Sequence, residues 1–141
     1  MKLQIKKNHL DAKIPKYTIE GDAGLELYSL QDVSLFPDER KIVKTGISMK
    51  IPKSYVGLIW DKSGIAVKGG IKTMGGVIDS NYRGEVGVIL KNLSDDIYEI
   101  KKGDKIAQML IQKVECSIIE EVDELDETER GDGGFGSTGL R

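Results

Sequence analysis

A period of two dominates the chain. Met1-Lys2-Leu3-Gln4-Ile5-Lys6-Lys7 alternates apolar and polar residues. Lys41 to Ile51 does so over its second half, as a half-buried strand does. Val56 to Trp60 is a short apolar run set off by Pro52-Lys53-Ser54 and Asp61. Val86 to Leu90, Ile97 to Ile100, Ile106 to Val114 and Ser117 to Val122 read as further strands. Turn residues separate the runs at Phe36-Pro37-Asp38-Glu39, Ser94-Asp95-Asp96 and Lys101-Lys102-Gly103-Asp104. Only Ser63 to Lys68 predicts a helical turn, with Ser63 placed to cap it. Many short strands with frequent turns predict an all-β fold, a jelly-roll-like sandwich or barrel. One stretch stands apart, Gly75 to Val88. It reads as a β-hairpin with Asp79, Tyr82 and Arg83 around its tip and glycines on both sides. Two readings are open: a pocket wall holding a small molecule beside a fixed carboxylate, or a surface hairpin with ordinary turn residues.

The pattern weakens after Val122. Asp123 to Glu129 is acidic, and Arg130 to Gly139 is glycine-rich. The chain therefore divides into a β-rich domain over 1–122 and an acidic linker with a flexible glycine-rich tail over 123–141. Phe135 stands among the glycines with Ser137 and Thr138 after it. The tail is either a lid that orders on a ligand or a disordered terminus.

Composition narrows the function. The 141 residues suit one domain. A net charge of −2 supplies no positive field for a polyanion, so no nucleic-acid partner is expected. No apolar run reaches a membrane span, and the N-terminus lacks the apolar core of a signal peptide, so no membrane association and a cytoplasmic location are expected. The single Cys116 rules out a disulfide within the chain and reads as a buried or partly buried strand residue. One histidine, His9, leaves little for a histidine-based triad or a zinc site. Hydrolytic chemistry would have to rest on carboxylates and a hard cation.

Four further patches carry chemistry. Asp22-Ala23-Gly24-Leu25-Glu26-Leu27 puts carboxylates at a strand entry. Asp61-Lys62-Ser63-Gly64-Ile65-Ala66 opens a turn where a cation, a hydroxyl and backbone N–H groups could meet phosphate. Gly103-Asp104-Lys105-Ile106-Ala107-Gln108 places an amide on an apolar strand. Arg130 with Ser137 and Thr138 offers a bidentate cation and hydroxyls. Each alone is ordinary: Lys62 could be a surface charge, Glu26 a solvated acid and Gln108 a packed amide.

In this order, with Gly76-Val77-Ile78-Asp79 and Tyr82-Arg83-Gly84 as the third patch, the five resemble the motifs of the trimeric deoxyuridine triphosphatases, or dUTPases. The resemblance runs from about Gly21 to Gly139 and includes Gly133-Gly134-Phe135-Gly136-Ser137-Thr138. It implies a jelly-roll-like subunit and a homotrimer with sites shared between subunits. It implies hydrolysis of dUTP to dUMP and pyrophosphate, which removes dUTP and supplies dUMP for thymidylate synthesis, with Mg²⁺ on the triphosphate.

By position, Asp79 is expected to activate the attacking water and Tyr82 to sit under the deoxyribose. The backbone from Thr73 through Gly76, Val77 and Ile78 is expected to read the uracil edge. Lys62, Ser63, Gly64 and Gln108 are expected at the phosphates, and Glu26 at the metal through water. Phe135 would stack on uracil, while Arg130, Gly136, Ser137 and Thr138 close over the phosphates. Three residues depart from the family pattern: Glu26 where Asp is usual, Asp61-Lys62 where Pro-Arg is usual, and Lys105 where Arg is common. Lysine keeps the charge of arginine but loses its bidentate fork. A dCTP deaminase of similar fold and a nucleotide-responsive binding protein are the rival readings.

Overall fold

The structure, a computed structural model, describes residues 1–134. Two four-stranded antiparallel sheets share one core. The first runs β1 (Gln4–Lys7), β4 (Arg40–Lys50), β8 (Glu85–Asn92) and β6 (Ile71–Met74) in that spatial order. The second runs β2 (Leu25–Tyr28), β10 (Lys105–Lys113), β5 (Tyr55–Trp60) and β7 (Val77–Ile78). A small ribbon pairs β3 (Val33–Leu35) with β9 (Tyr98–Ile100). The only helix among the described residues is α1 (Ser63–Gly69). This is the expected all-β, jelly-roll-like subunit.

The alternation builds the core directly. Val43, Thr45, Ile47 and Met49 face inward from β4, and Val86, Val88 and Leu90 from β8. Leu27 of β2 and Ile106 and Met109 of β10 meet them from the other sheet. Each fully buried aliphatic side chain contributes about 1.5–3 kcal/mol of transfer free energy. The ladder between β4 and β8 shifts register between Lys44 and Ser48. Gly46 takes φ +72 there, and its N–H donates to Glu85 Oε1 at 2.9 Å.

Four expectations change. Gly75 to Val88 is not a hairpin. Val77 and Ile78 pair with Leu58 and Gly57 of β5, whereas β8 pairs with β4 and β6. The arms lie in different sheets because β7 finds its ladder partner about twenty residues upstream. Ser63 does not cap α1. Lys62 is the N-cap, with no side-chain cap bond, and Ser63 already has helical geometry. Ser117 to Val122 forms no strand. Those residues are exposed, Ile118 at 97% and Ile119 at 89%, and among the described residues they pair with no strand that would complete their backbone bonds. Cys116 lies in the same irregular segment and is exposed, not buried in a strand.

Candidate active site

Row by row, the second sheet assembles the polar residues. Glu26 of β2 stands opposite Gln108 of β10, and Gln108 stands opposite Trp60 of β5. Two residues back along β5, about 7 Å at strand rise, Leu58 stands opposite Val77 of β7. Residues of four motifs thus lie in one sheet, but Ile78 stands opposite Gly57, so β7 carries Asp79 away from Trp60 and Lys62. Strands β7 and β2 form opposite edges of the sheet.

Glu26 is buried and accepts from two lysines. Lys62 Nζ lies 2.8 Å from Oε2 and 3.0 Å from Oε1. Lys105 Nζ lies 3.2 Å from Oε1, and Thr18 Oγ1 donates to the same oxygen at 3.3 Å. Burial opposes ionisation of this carboxyl. Hydrogen bonds from Lys62 and then Lys105 overcome that cost and hold its pKa below the usual glutamate value. The cluster carries one net positive charge, which suits a neighbouring anion. Thr18 was not expected there. Asp22 fixes it: Asp22 Oδ2 accepts from the N–H groups of Thr18 at 3.1 Å and Ile19 at 3.0 Å. A cleft of about 560 Å³ bordered by Lys13, Lys16, Thr18 and Tyr28 shares Lys105 with the cluster.

Gln108 spends its amide on the backbone: Nε2 donates to the Asp61 carbonyl at 2.8 Å. Gly24 makes room for it, since an added Cβ would lie 2.5 Å from Gln108 Oε1. Ser63 and Gly64 open α1 and are exposed, and nothing lies within 4 Å of where a Gly64 Cβ would be. Thr73 is buried in β6 and bonds to Asp61. Gly76, at φ +102, packs its backbone on Ile59 and accepts the Ile59 N–H at 2.8 Å. An added Cβ there would stand 2.9 Å from Ile59 Cβ, so glycine is required.

Beyond β7 the chain turns sharply. Tyr82 N–H donates to the Asp79 carbonyl at 3.1 Å. One Arg83 guanidinium nitrogen donates to the Ser80 and Tyr82 carbonyls, each at 2.7 Å, and stiffens the turn. Tyr82 folds over Gly84, where an added Cβ would lie 2.3 Å from the phenol oxygen. Its hydroxyl donates to the Glu85 carbonyl at 3.0 Å. Val77, Ile78, Asp79, Tyr82, Glu85 and Gly87 line a hollow of about 260 Å³. A second hollow of about 240 Å³ lies beside Trp60, Gly75, Gly76 and Val77. The acid and the ring predicted to work together do share one hollow. Arg130 is exposed, and its Nε donates to the Gly133 carbonyl within the tail. Phe135, Gly136, Ser137 and Thr138 lie outside the described residues.

Among the described residues no group of three or more His, Cys, Asp or Glu could cage a metal. Glu26 is a lone carboxylate with lysine partners. Both of its oxygens accept from lysines, so this set suits an anion, and a cation there would have to be carried by that anion's own oxygens and by water.

These features define an all-β protein with a hollow that holds Asp79 and Tyr82 at one edge of the second sheet and a cationic cluster toward the other. Comparison with known proteins narrows the class. The dUTPase family profile matches residues 11–139, and the chain belongs to that family. A deoxyuridine 5'-triphosphate nucleotidohydrolase of Clostridium kluyveri is 47% identical over 141 residues, 99% of each chain. The solved Staphylococcus bacteriophage 80alpha dUTPase with dUPNHPP superposes with a TM-score of 0.93 at 30% identity, covering 99% of both chains. A mutant dUTPase from phage phi11 of S. aureus, described as coordinating a structural Mg(II) ion, gives a TM-score of 0.82 at 29% identity. It covers 88% of this chain and 98% of its own.

Proposed function

We propose that the protein hydrolyses dUTP to dUMP and pyrophosphate, with Asp79 orienting and activating the attacking water. The observation that carries this reading is the shared hollow of Asp79 and Tyr82, floored by Val77 and Ile78. In-line attack at phosphorus asks for a positioned water and charge neutralisation more than for covalent work. Asp79 follows directly on a paired strand and opens a turn closed by the Tyr82 N–H on its carbonyl, so its carboxylate has a fixed base. Tyr82 presents its ring under the deoxyribose and leaves no room for a 2′-hydroxyl. Backbone groups from Thr73 to Ile78 match the uracil edge, and a cytosine would leave buried groups unpaired.

The phosphates fall to Lys62, Ser63, Gly64 and Gln108. Lys62 is already bound to Glu26, so it meets phosphate with its ammonium oriented. Gln108 shapes the same turn through the Asp61 carbonyl. Mg²⁺ on the triphosphate would supply charge neutralisation when bound, and Glu26 orients Lys62 and Lys105 toward the same phosphates. Arg130, Phe135, Gly136, Ser137 and Thr138 close the site as a lid, in keeping with a division of the chain near residue 122. A homotrimer with shared sites accords with the exposed Ile118, Ile119 and Leu125 at the end of the subunit.

Pyrophosphate release from a panel of deoxynucleotides and ribonucleotides, with and without Mg²⁺, tests the reading. Turnover of dUTP far above that of the other nucleotides, dCTP included, is expected. Ammonia release from dCTP would replace it with the deaminase. Asp79→Asn should bind nucleotide and lose about 10²–10⁴-fold in kcat, the range of a general base. Near-full activity would remove Asp79 from the mechanism.

A further inference from the structure

The segment from Ile71 to Ile78 crosses between sheets. β6 pairs with β8 in one sheet and β7 with β5 in the other. The crossing is made by Gly75 and Gly76 at φ +64 and +102. No ladder can set the position of β6 against the end of β5, because the two strands lie in separate sheets. Asp61 bridges that gap. Its Oδ1 accepts from the Thr73 N–H and the Thr73 hydroxyl, both at 2.6 Å, and its Oδ2 meets Lys72 Nζ at 2.7 Å. Its own carbonyl accepts the Gln108 amide at 2.8 Å. The next residue, Lys62, binds Glu26. One residue thus bonds to strands of both sheets.

We propose that Asp61 is a positioning residue that clamps the uracil-reading strand to the phosphate-side turn, so that removing its carboxylate loosens base selectivity and substrate affinity together. The proposal rests on the dUTP reading of the site. Thr73 is buried, so its bonds to the carboxylate are shielded from water, and charge-assisted bonds of this length are the strong ones. Burial works against the charge on Asp61. Lys72 and the two Thr73 donors outweigh it and keep the carboxyl ionised below the usual aspartate range. Lys72 is exposed, so the Thr73 bonds carry the clamp.

The experiment compares the full-length chain with Asp61→Ala, Asp61→Asn and Thr73→Val. It measures KM for dUTP, the ratio of kcat/KM for dUTP over dCTP, and thermal unfolding. Asp61→Ala should raise KM and lower the dUTP preference, each roughly tenfold, the worth of one hydrogen bond to a charged group. Asp61→Asn keeps an oxygen facing Thr73 and should recover most of both. Thr73→Val keeps the N–H donor and should move both the same way by less. A merely structural defect lowers the active fraction for both substrates equally and leaves their ratio unchanged. An unchanged ratio or an unchanged KM in folded Asp61→Ala overturns the proposal, as does an unchanged ratio in Thr73→Val should Asp61→Ala not fold. A wild-type chain inert toward dUTP defeats the dUTP reading itself, a separate result.

Discussion

Lys62 Nζ contacts both carboxylate oxygens of Glu26, at 2.8 and 3.0 Å, from a residue 36 positions away. Strands β2 and β5 are not neighbours in their sheet, since β10 lies between them. The pair therefore spans β10 above Gln108. A glutamate reaches one bond further than an aspartate, and lysine replaces the arginine usual in the family pattern. The longer acid meets two lysines at once, because Lys105 closes on the same carboxylate.

Glu26→Gln should make this cluster visible in the pH dependence of stability. The carboxyl titrates below its ordinary value of 4.5 in the folded state. Its contribution is therefore full above that value and is lost as pH falls through the lowered folded pKa. Wild type and Glu26→Gln should differ in unfolding free energy by about 2 kcal/mol at pH 7. That is below the 3–5 kcal/mol for removing one partner of a fully buried pair, since Lys62 keeps 23% of its side-chain exposure. The difference should shrink as pH is taken from 5 toward 3. Denaturant melts of both proteins over that range are the check, and a constant difference would remove the ion pairs from the account.

Tyr82→Ala should let UTP compete. The ring is 43% exposed, so its loss, with the hydroxyl bond to the Glu85 carbonyl, costs about 1–1.5 kcal/mol. Discrimination of dUTP against UTP should fall about tenfold or more, the effect of some 1.4 kcal/mol. Competition assays with the two nucleotides measure it. Unchanged discrimination would take the sugar away from Tyr82.

Gly84→Ala makes a sharper test of the same ring. A methyl at this position would sit 2.3 Å from the Tyr82 oxygen and 2.5 Å from its Cζ. The half-exposed ring can swing away and give up its hydroxyl bond to the Glu85 carbonyl, about 1 kcal/mol. The protein should fold with a small drop in Tm yet show the loosened sugar discrimination of Tyr82→Ala. Wild-type discrimination in folded Gly84→Ala would mean that the ring's placement does not matter.

The strands were legible because burial in a two-sheet fold imposes a period of two. Val43, Thr45, Ile47 and Met49 display it even across the bulge at Gly46. The spacing of Asp79 and Tyr82 puts both at one turn, but it left a pocket wall and a surface turn equally open, and only the resemblance to the family proposed a role for each. The partners of a strand were not legible. Val77-Ile78 looks like half of a local hairpin, and only the tertiary structure shows that β5 takes it and that β8 goes to the other sheet. The bond from Asp61 to Thr73 was invisible for the same reason, since it joins the end of β5 to β6 in the other sheet, and the seat of Thr18 at Glu26 depends on a non-repetitive loop fold for which the sequence carries no period. Ser63 fits a capping preference, but the chain enters the helix one residue earlier.

Removing residues 130–141 tests the division of labour between barrel and tail. The core cluster contains no residue beyond Met109, and the residues from 115 to 132 are exposed. The shortened chain should keep its fold and its Tm within about 2 °C, since the core is built from residues up to Met109. If Arg130, Phe135, Ser137 and Thr138 close over the nucleotide, kcat/KM for dUTP should fall by about a hundredfold or more, because exclusion of water and several charge-assisted contacts go together. Binding of dUMP, which lacks the β- and γ-phosphates, should suffer less than turnover of dUTP. Steady-state kinetics and dUMP titration on the same preparation separate the two effects. A shortened enzyme with the full rate would leave the tail as a linker and place every necessary phosphate contact on Lys62, Ser63, Gly64 and Gln108.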